Sequence, residues 1–307
     1  MTRVVIYFCM PIGHVRRDFI YLGGTVVSYL FSVAMGFLQG VAEFLPISSS
    51  GHLALFQYFF GGQNPEETDL LFTVLLHFGT LVAVCVYYWR DVVDMIREFF
   101  LGIGSLFSKK GGRAAPPPPA RRLVLMIVVA TLPLFAVLPV KSKVEAAFTN
   151  VIFVSVALIA TGFLLFFSDR VAQGRKTART ATIKDALLVG CAQAVGTLPG
   201  ISRAGSTISA GMLCGFERSF AVRFSFLMSL PAVFGANLLE LIDVAKEGGF
   251  QMELLPMYLV GMAVAGVVGY FAIRLVNLLA DKGKFGKFAY YCWAVGLISL
   301  VASFFVK

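Results

Sequence analysis

Residues 39–52 read Gln-Gly-Val-Ala-Glu-Phe-Leu-Pro-Ile-Ser-Ser-Ser-Gly-His and lie inside a long apolar region. An acid, a run of serines and a histidine are expensive to place at membrane depth, and ionisable groups found there usually serve a function. A second polar insertion, residues 198–207 (Leu-Pro-Gly-Ile-Ser-Arg-Ala-Gly-Ser-Thr), interrupts the second half of the chain in a similar way. We predict that these two stretches face each other in the membrane and form one site.

The rest of the chain is strongly apolar, with 58% hydrophobic and 14% charged residues, whereas about a quarter of the residues of a soluble domain are charged. This composition predicts an all-α polytopic membrane protein, since the alternating pattern of a β-barrel does not appear. The net charge of +9 lies mostly in short loops, where Lys and Arg set topology, so it does not indicate nucleic-acid binding. The five cysteines form no Cys-x-x-Cys pair, and we expect them to pack in the core.

The apolar runs predict six transmembrane helices and two re-entrant helix–loop–helix pairs. Each re-entrant pair corresponds to an apolar block that Pro, Gly and polar residues break in the middle, at 26–60 and 186–216. The arms of these blocks are shorter than the ~20 residues that a span needs. Residues 1–25 are predicted to form an irregular N-terminal extension. The basic segment 90–122 indicates a cytoplasmic location, and its Pro116–Pro119 run is typical of a flexible or polyproline linker. The six spans are predicted at 70–89, 123–140, 148–167, 220–242, 255–279 and 288–306.

The two halves of the chain resemble each other around the polar insertions. Residues 46–51 (Pro-Ile-Ser-Ser-Ser-Gly) are similar to residues 199–205 (Pro-Gly-Ile-Ser-Arg-Ala-Gly). Each half would hold one re-entrant pair and three crossings, and because three is odd, the second copy must be inverted in the membrane. We therefore predict a single membrane domain, 26–307, built of two inverted repeats at about 26–168 and 184–307. Inverted repeats place their sites near the midplane, where the broken segments meet.

The polar residues of the two insertions suggest phosphate chemistry. Gln39 and Glu43 are four residues apart and project from one helix face, toward Ser48–Ser50 and His52, and Arg203 would arrive from the other repeat. Each has a structural alternative: a packing carboxylate, helix-capping serines, a buried histidine, a snorkelling arginine. As a group they suit a phosphate, because helix N-termini attract anions, Arg binds two phosphate oxygens, and a carboxylate holds a divalent cation such as Mg²⁺. A serine or the histidine would then handle the nucleophilic attack or the proton.

At these residues the sequence resembles the undecaprenyl-diphosphate phosphatases, a family associated with bacitracin resistance. Residues 39–52 are similar to the family's (Glu/Gln)-x-x-x-Glu motif followed by Pro-x-Ser-Ser-(Thr/Ser)-Gly-His, and residues 199–205 are similar to its Pro-Gly-x-Ser-Arg-Ser-Gly motif. The resemblance covers the chain from about residue 26 to the C-terminus. It implies a phosphatase of the bacterial inner (plasma) membrane that converts undecaprenyl diphosphate to undecaprenyl phosphate and inorganic phosphate. Such an enzyme recycles the lipid carrier of peptidoglycan synthesis, with a site open to the outer side.

Matched by position, the resemblance implies catalytic roles for Glu43, Ser49, His52 and Arg203. Ser49 would be the nucleophile and His52 the acid/base, with a water molecule as the alternative nucleophile. It also implies a divalent cation, Mg²⁺ or Ca²⁺, at Glu43, with Gln39 as a second ligand. The residues expected to bind phosphate are Gln39, Ser48, Ser50, Gly200 and Ser202.

Two positions depart from the family pattern. Gln39 stands where some members carry a glutamate, which removes one negative charge from a two-carboxylate metal site. Ala204 replaces a serine of the second motif, so the role of that hydroxyl is absent here.

Other functions fit parts of the same sequence. A polyprenyl-phosphate flippase or transporter would also have inverted repeats and broken helices, and a scaffolding protein could use the proline-rich segment. Ser49, His52 and Arg203 favour hydrolysis, since transport alone does not need a nucleophile beside an acid/base. The expected partners are a polyprenyl diphosphate lipid and membrane lipids; the oligomeric state stays open, with a homodimer as one option.

Overall fold

The computed structural model describes residues 20–22, 25–27, 29–60, 70–106, 117–247 and 252–305. Most of the predicted N-terminal extension, residues 1–25, lies outside this range. Near its end the structure has a short antiparallel hairpin of two strands, β1 (Ile20–Leu22) and β2 (Thr25–Val27).

The rest of the described chain is helical, as the composition predicted. Two 3₁₀ segments, Leu132–Ala136 and Leu138–Val140, join the fifth and sixth α-helices. The α-helices are α1 (Tyr29–Phe44), α2 (Ser49–Phe60), α3 (Leu70–Tyr87), α4 (Trp89–Leu106), α5 (Pro119–Thr131), α6 (Lys141–Phe148), α7 (Val151–Ser168), α8 (Ile183–Val195), α9 (Arg203–Leu213), α10 (Arg218–Glu247), α11 (Leu255–Asp281) and α12 (Lys287–Ala302).

Several of these helices are long and apolar enough to cross a membrane. Within the described residues four stretches qualify: Pro119–Phe148, Val151–Ser168, Arg218–Lys246 and Leu255–Asp281. They contain or closely overlap the predicted spans at 123–140, 148–167, 220–242 and 255–279. The predicted span at 70–89 corresponds to α3, which qualifies only together with α4, and the one at 288–306 corresponds to α12, a shorter apolar helix. The protein is therefore a multi-pass helical membrane protein with four or five candidate spans.

The segment after α3 differs from its prediction. No helix was predicted in residues 90–122, but Trp89–Leu106 forms α4, which is bent by 87° from α3. The charged and apolar residues of α4 alternate with helical periodicity, a pattern that the prediction did not use.

Both broken apolar blocks fold as a helix, a tight turn and a second short helix. In α1–α2 the Ser48 hydroxyl oxygen accepts a hydrogen bond from the backbone N–H of Gly51 at 3.2 Å. In α8–α9 the Ser202 hydroxyl oxygen accepts one from the backbone N–H of Gly205 at 3.0 Å. Each serine thus caps the helix that follows it, which explains why the second arm starts where it does.

Small residues let the first arm of each block approach a helix of the other half closely. A Cβ at Gly40 of α1 would lie 2.7 Å from the carbonyl oxygen of Ala265 in α11, and one at Gly36 would overlap the carbonyl oxygen of Gly261. Likewise α8 packs against α5, where a Cβ at Gly190 would overlap the Ala130 backbone. Such small-residue contacts are a main source of helix association in membranes.

The two turns touch each other. A Cβ at Gly51 would lie 2.9 Å from the Cα of Gly200, and the Ser48 hydroxyl donates a hydrogen bond to the carbonyl oxygen of Ile201 at 3.4 Å. The two polar insertions therefore meet inside the helical bundle.

We expect Gly200→Ala to lower the stability of the fold by at least ~2 kcal/mol. Gly200 has a φ of +87°, and its Cβ would overlap the Val154 carbonyl oxygen of α7. Thermal unfolding in detergent micelles, followed by circular dichroism, measures the change. Gly235→Ala is the matched control, because a Cβ there meets nothing within 4 Å, and a helical Gly→Ala change should be neutral or stabilising. Equal midpoints for the two variants would contradict the close contact.

Candidate active site

The site is built around the carboxylate of Glu43, near the C-terminal end of α1. Its side chain is 7% exposed and forms an ion pair with Arg203 through Oε1. The other oxygen, Oε2, accepts hydrogen bonds from the Gln39 amide at 3.1 Å and from the Ser49 hydroxyl at 2.7 Å. The helical spacing of Gln39 and Glu43 thus places both side chains in one buried cluster, as the sequence predicted.

Arg203 reaches Glu43 from the other half of the chain. It is the first residue of α9, and its Nη2 donates to Glu43. Its Nη1 is buried and has no hydrogen-bond partner among the described residues. A buried charged donor without a partner is costly, so this N–H group is available to an anion that enters the site.

Ser49 occupies the equivalent position at the start of α2. Ser49 and Arg203 are each the first residue of the second, short helix of their block, and both bind Glu43. The N-terminal ends of α2 and α9 therefore converge on one carboxylate. Helix N-termini carry a partial positive charge and free backbone N–H groups, which favours anions beside them.

The turn before α2 has an unusual backbone conformation at Ser48. Its φ is +70°, in the left-handed region that residues other than glycine adopt rarely. The Ser48 hydroxyl is also 3.3 Å from that of Ser50. Backbone outliers of this kind persist where the surrounding structure holds them, often at functional sites.

His52 lies one turn into α2 and is held at both ring nitrogens. Its Nδ1 is 2.8 Å from the Ser48 carbonyl oxygen, which can only accept, so Nδ1 carries a hydrogen. In the neutral ring Nε2 then accepts from the hydroxyl of Tyr291 in α12, at 2.9 Å. The described hydrogen bond of Ser49 goes to Glu43 and not to His52, so the group beside the predicted nucleophile is the carboxylate.

The turn before α9 is fixed by a residue of α7. The Thr161 hydroxyl donates to the carbonyl oxygen of Gly200 at 3.0 Å and accepts from the backbone N–H of Ser202 at 3.2 Å. These bonds satisfy two buried backbone groups and hold the predicted phosphate-binding residues Gly200 and Ser202 in place. Thr161 itself gave no sequence signal, because it lies in an otherwise ordinary apolar span.

Two further residues at the site were missed by the sequence reasoning. His77 of α3 places Nε2 4.0 Å from Glu43 Oε2, while its Nδ1 is 3.0 Å from the Thr73 carbonyl oxygen. A histidine inside an apolar span is a signal in itself, and it could have been used. Tyr291 gave no signal, since tyrosines are common in membrane helices.

The residues around Glu43 are compatible with a cation that is shared with a ligand. Among the described residues, no group of three His, Cys, Asp or Glu side chains could hold a metal ion. The expected pair does lie together: the Gln39 amide nitrogen donates to the Glu43 carboxylate, and Gln39 Oε1 is buried without a hydrogen-bond partner among the described residues. Since Mg²⁺ is usually held by one or two carboxylates plus substrate phosphates, these two side chains suit a cation that arrives with a phosphorylated substrate.

The chain is similar to known proteins along most of its length. A model of the family described as bacitracin resistance protein BacA matches residues 32–298 of the chain. A protein of Halothermothrix orenii named undecaprenyl-diphosphatase is 39% identical over 271 residues, which cover 88% of this chain and 96% of that protein. A protein of Methanosphaera stadtmanae with the same name is 36% identical over 282 residues, 91% of this chain and 99% of that protein.

We expect Arg203→Met to destabilise the protein by about 3 kcal/mol, because it leaves the Glu43 carboxylate buried without its partner. The double variant Glu43→Gln/Arg203→Met removes both charges and should unfold at a higher temperature than Arg203→Met alone. Thermal unfolding in micelles compares them. Arg175→Met, at an exposed position, serves as the control and should change stability by less than ~0.5 kcal/mol. A double variant that is no more stable than Arg203→Met would contradict the buried ion pair.

Proposed function

Because the chain belongs to the bacitracin resistance protein BacA family, we propose that it is an undecaprenyl-diphosphate phosphatase. It hydrolyses undecaprenyl diphosphate with water to undecaprenyl phosphate and inorganic phosphate, which returns the lipid carrier to cell-wall synthesis. The relatives are named undecaprenyl-diphosphatase, and this chain matches them over nearly their whole length. The structural observation that best supports the proposal is the Glu43–Arg203 ion pair, which lies at the N-termini of α2 and α9.

The cluster is better suited to hydrolysis than to transport alone. A flippase must bind and release a lipid phosphate, for which a cationic cavity is sufficient. Here a serine hydroxyl donates to a buried carboxylate at 2.7 Å, which is the arrangement of a nucleophile and its base. Transport alone does not need a nucleophile beside a base, whereas hydrolysis uses this contact in addition to its role in satisfying the buried carboxylate.

The diphosphate would be held by groups from both halves of the chain. Arg203 offers the unpartnered Nη1, and the N-termini of α2 and α9 offer backbone N–H groups. The proposed phosphate-binding set remains Gln39, Ser48, Ser50, Gly200 and Ser202, all of which lie on α1, in the two turns or at the start of α2. Phosphoryl transfer rests mainly on such positioning and charge stabilisation.

For the chemical step we propose Ser49 as the nucleophile. Its oxygen attacks the terminal phosphorus while its proton passes to Glu43, the bond from that phosphorus to the bridging oxygen breaks, and undecaprenyl phosphate leaves. Water then hydrolyses the phosphoserine, the proton on Glu43 returns to the Ser49 oxygen, and inorganic phosphate leaves. A water molecule held at the same carboxylate is the alternative nucleophile. His52 stays the proposed acid/base for the leaving oxygen and for water, with its ring oriented by Ser48 and Tyr291.

A divalent cation, Mg²⁺ or Ca²⁺, would be held by Glu43 and Gln39 together with the substrate phosphates. When bound it would neutralise charge on the diphosphate. Arg203 would remain paired with the Glu43 carboxylate.

We also propose the finer architecture: six spans and two re-entrant pairs in two inverted repeats. The α1–α2 and α8–α9 pairs would be the re-entrant ones. The packing supports this, because α1 contacts α11 as α8 contacts α5, and α11 contacts α3 as α5 contacts α10. Lys and Arg are concentrated in segments 90–122, 170–184 and 281–287, which the positive-inside rule assigns to the cytoplasm. The site would then open to the outer side.

We expect Glu43→Ala and Arg203→Ala each to lower phosphate release from undecaprenyl diphosphate by at least ~100-fold, because each removes a charge that acts on the transferred phosphate. Purified protein in micelles and a phosphate assay measure the rate. The matched control is a second Glu–Arg ion pair, Glu98–Arg121, with N···O at 3.0 Å; Glu98→Ala and Arg121→Ala should retain activity. Full activity in both Glu43→Ala and Arg203→Ala would contradict the proposed active site.

Ser49→Ala should lower the rate by about 1000-fold if Ser49 is the nucleophile. Because Ser49 and Glu43 act as a unit, the double variant Ser49→Ala/Glu43→Ala should be little slower than the slower single variant. Ser303→Ala, at the C-terminal end of α12, is the control. Activity within tenfold of the unmodified protein in Ser49→Ala would show that water attacks directly.

A further inference from the structure

The helix α4 packs a face of mixed polarity, which includes Val92 and Met95, against the protein and leaves a large apolar face outward. Its partly buried face carries Asp91 and Glu98, which form ion pairs with Arg223 of α10 and Arg121 of α5. In a soluble protein the apolar face of an amphipathic helix packs inward. The large apolar surface that α4 leaves outward therefore indicates that its surroundings are apolar.

The outward face holds a continuous row of large apolar side chains. Successive members are three or four residues apart, so they share one side of the helix. Each is at least 40% exposed. We call this row the outer apolar stripe: Trp89, Val93, Ile96, Phe100 and Ile103.

A row of exposed charged residues runs beside this stripe. Arg90 and Arg97, seven residues apart, lie on the same side of α4, with Asp94 between them. The Arg90 guanidinium carbon is 5.5 Å from the centroid of the Trp89 ring, in cation–π contact. An apolar stripe edged by arginines is the pattern of a helix that lies in a membrane interface, with the cations at the level of the lipid phosphates.

The direction of α4 agrees with this position. α4 is bent by 87° from α3, so if α3 crosses the bilayer, α4 runs along its surface. Its 18 residues would extend about 27 Å in the membrane plane. A helix continuing through the hydrocarbon would bring Arg90, Asp94 and Arg97 to different depths, at high cost.

We propose that α4 is an interfacial helix whose outer apolar stripe is inserted among lipid acyl chains, while Arg90 and Arg97 bind the phosphates of anionic phospholipids. The occupant of this surface is the membrane itself rather than a protein. This surface is separate from the Glu43–Arg203 site, and the proposal does not depend on the reaction catalysed there.

The depth of α4 can be measured with tryptophan fluorescence and lipids brominated at different acyl positions. The chain has only two tryptophans, so Trp293→Phe leaves Trp89 as the single reporter. A second variant combines Trp293→Phe with Trp89→Phe and Phe100→Trp, so that the single tryptophan lies further along the stripe. The two positions are about 16 Å apart along the helix axis, yet an interfacial helix should give them the same shallow depth.

The control pair comes from α7, a helix long enough to span. Ile152→Trp and Ala160→Trp, each without the native tryptophans, are exposed positions about 12 Å apart along that helix. Ala160→Trp should be quenched most by bromines deep in the acyl chains and Ile152→Trp by shallow ones. Phosphate release by every variant verifies the fold. A depth difference in α4 as large as that in α7, or no quenching in α4 from any depth, would overturn the proposal.

The arginines have their own test. Arg90→Gln/Arg97→Gln should at least halve the phosphatidylglycerol retained relative to phosphatidylcholine when protein from mixed vesicles is examined by native mass spectrometry. Arg175→Gln/Arg179→Gln, two exposed arginines outside α4, should leave the ratio unchanged. An equal loss of phosphatidylglycerol in both double variants would show that net charge alone sets the ratio. That result would overturn the role of Arg90 and Arg97.

Discussion

The buried carboxylate of Glu43 is the constraint on which the rest of the structure depends. An ionised carboxylate in a low-dielectric interior must be paired and hydrogen-bonded, or it would take up a proton. Its cationic partner, Arg203, lies 160 residues further along the chain. Neither half of the chain can satisfy its own charge, so the charge pair is completed only when the two halves pack together, and the site exists only at their junction.

Close packing of small residues makes that junction possible. Lipid tails are as apolar as leucine, so helices in a membrane gain from contact and hydrogen bonding rather than from burial. Gly36 and Gly40 let α1 lie directly on the backbone of α11, and Gly51 and Gly200 bring the two turns into contact. The glycines thus fix the position of the carboxylate on α1 and direct the N-termini of α2 and α9 toward it. The same contacts serve stability and the proposed phosphate binding.

Two classes of charged residues in the protein lie in different surroundings. Glu43 and Arg203 are enclosed by both halves of the chain, with side chains 7% and 17% exposed, where a charge acts strongly on a bound phosphate. Arg90 and Arg97 of α4 are exposed beside the outer apolar stripe. One class would act on the head group of the substrate and the other on the membrane in which that lipid resides.

The sequence by itself determined the class of fold and the composition of the site. Apolar runs of sufficient length indicate membrane helices, and Pro, Gly and polar residues break such runs where they occur, so the two helix–turn–helix blocks were predictable. The motif at 39–52 and that at 199–205 also named the residues that meet, including Glu43 and Arg203. The six predicted spans were less secure, because the length of a helix depends on where its neighbours cap or bend it, as at the 87° bend after α3.

Only the tertiary structure decided which side chains are partners. Three contacts show this: Ser49 with Glu43, His52 with Tyr291, and His77 with Glu43. Each joins helices that are distant in sequence or depends on one choice of rotamer. The same holds for α4: its periodicity is visible in the sequence, but whether the apolar stripe faces protein or lipid depends on the ion pairs that its other face makes. Local sequence fixes which residues share a helix face, and packing alone fixes what that face meets.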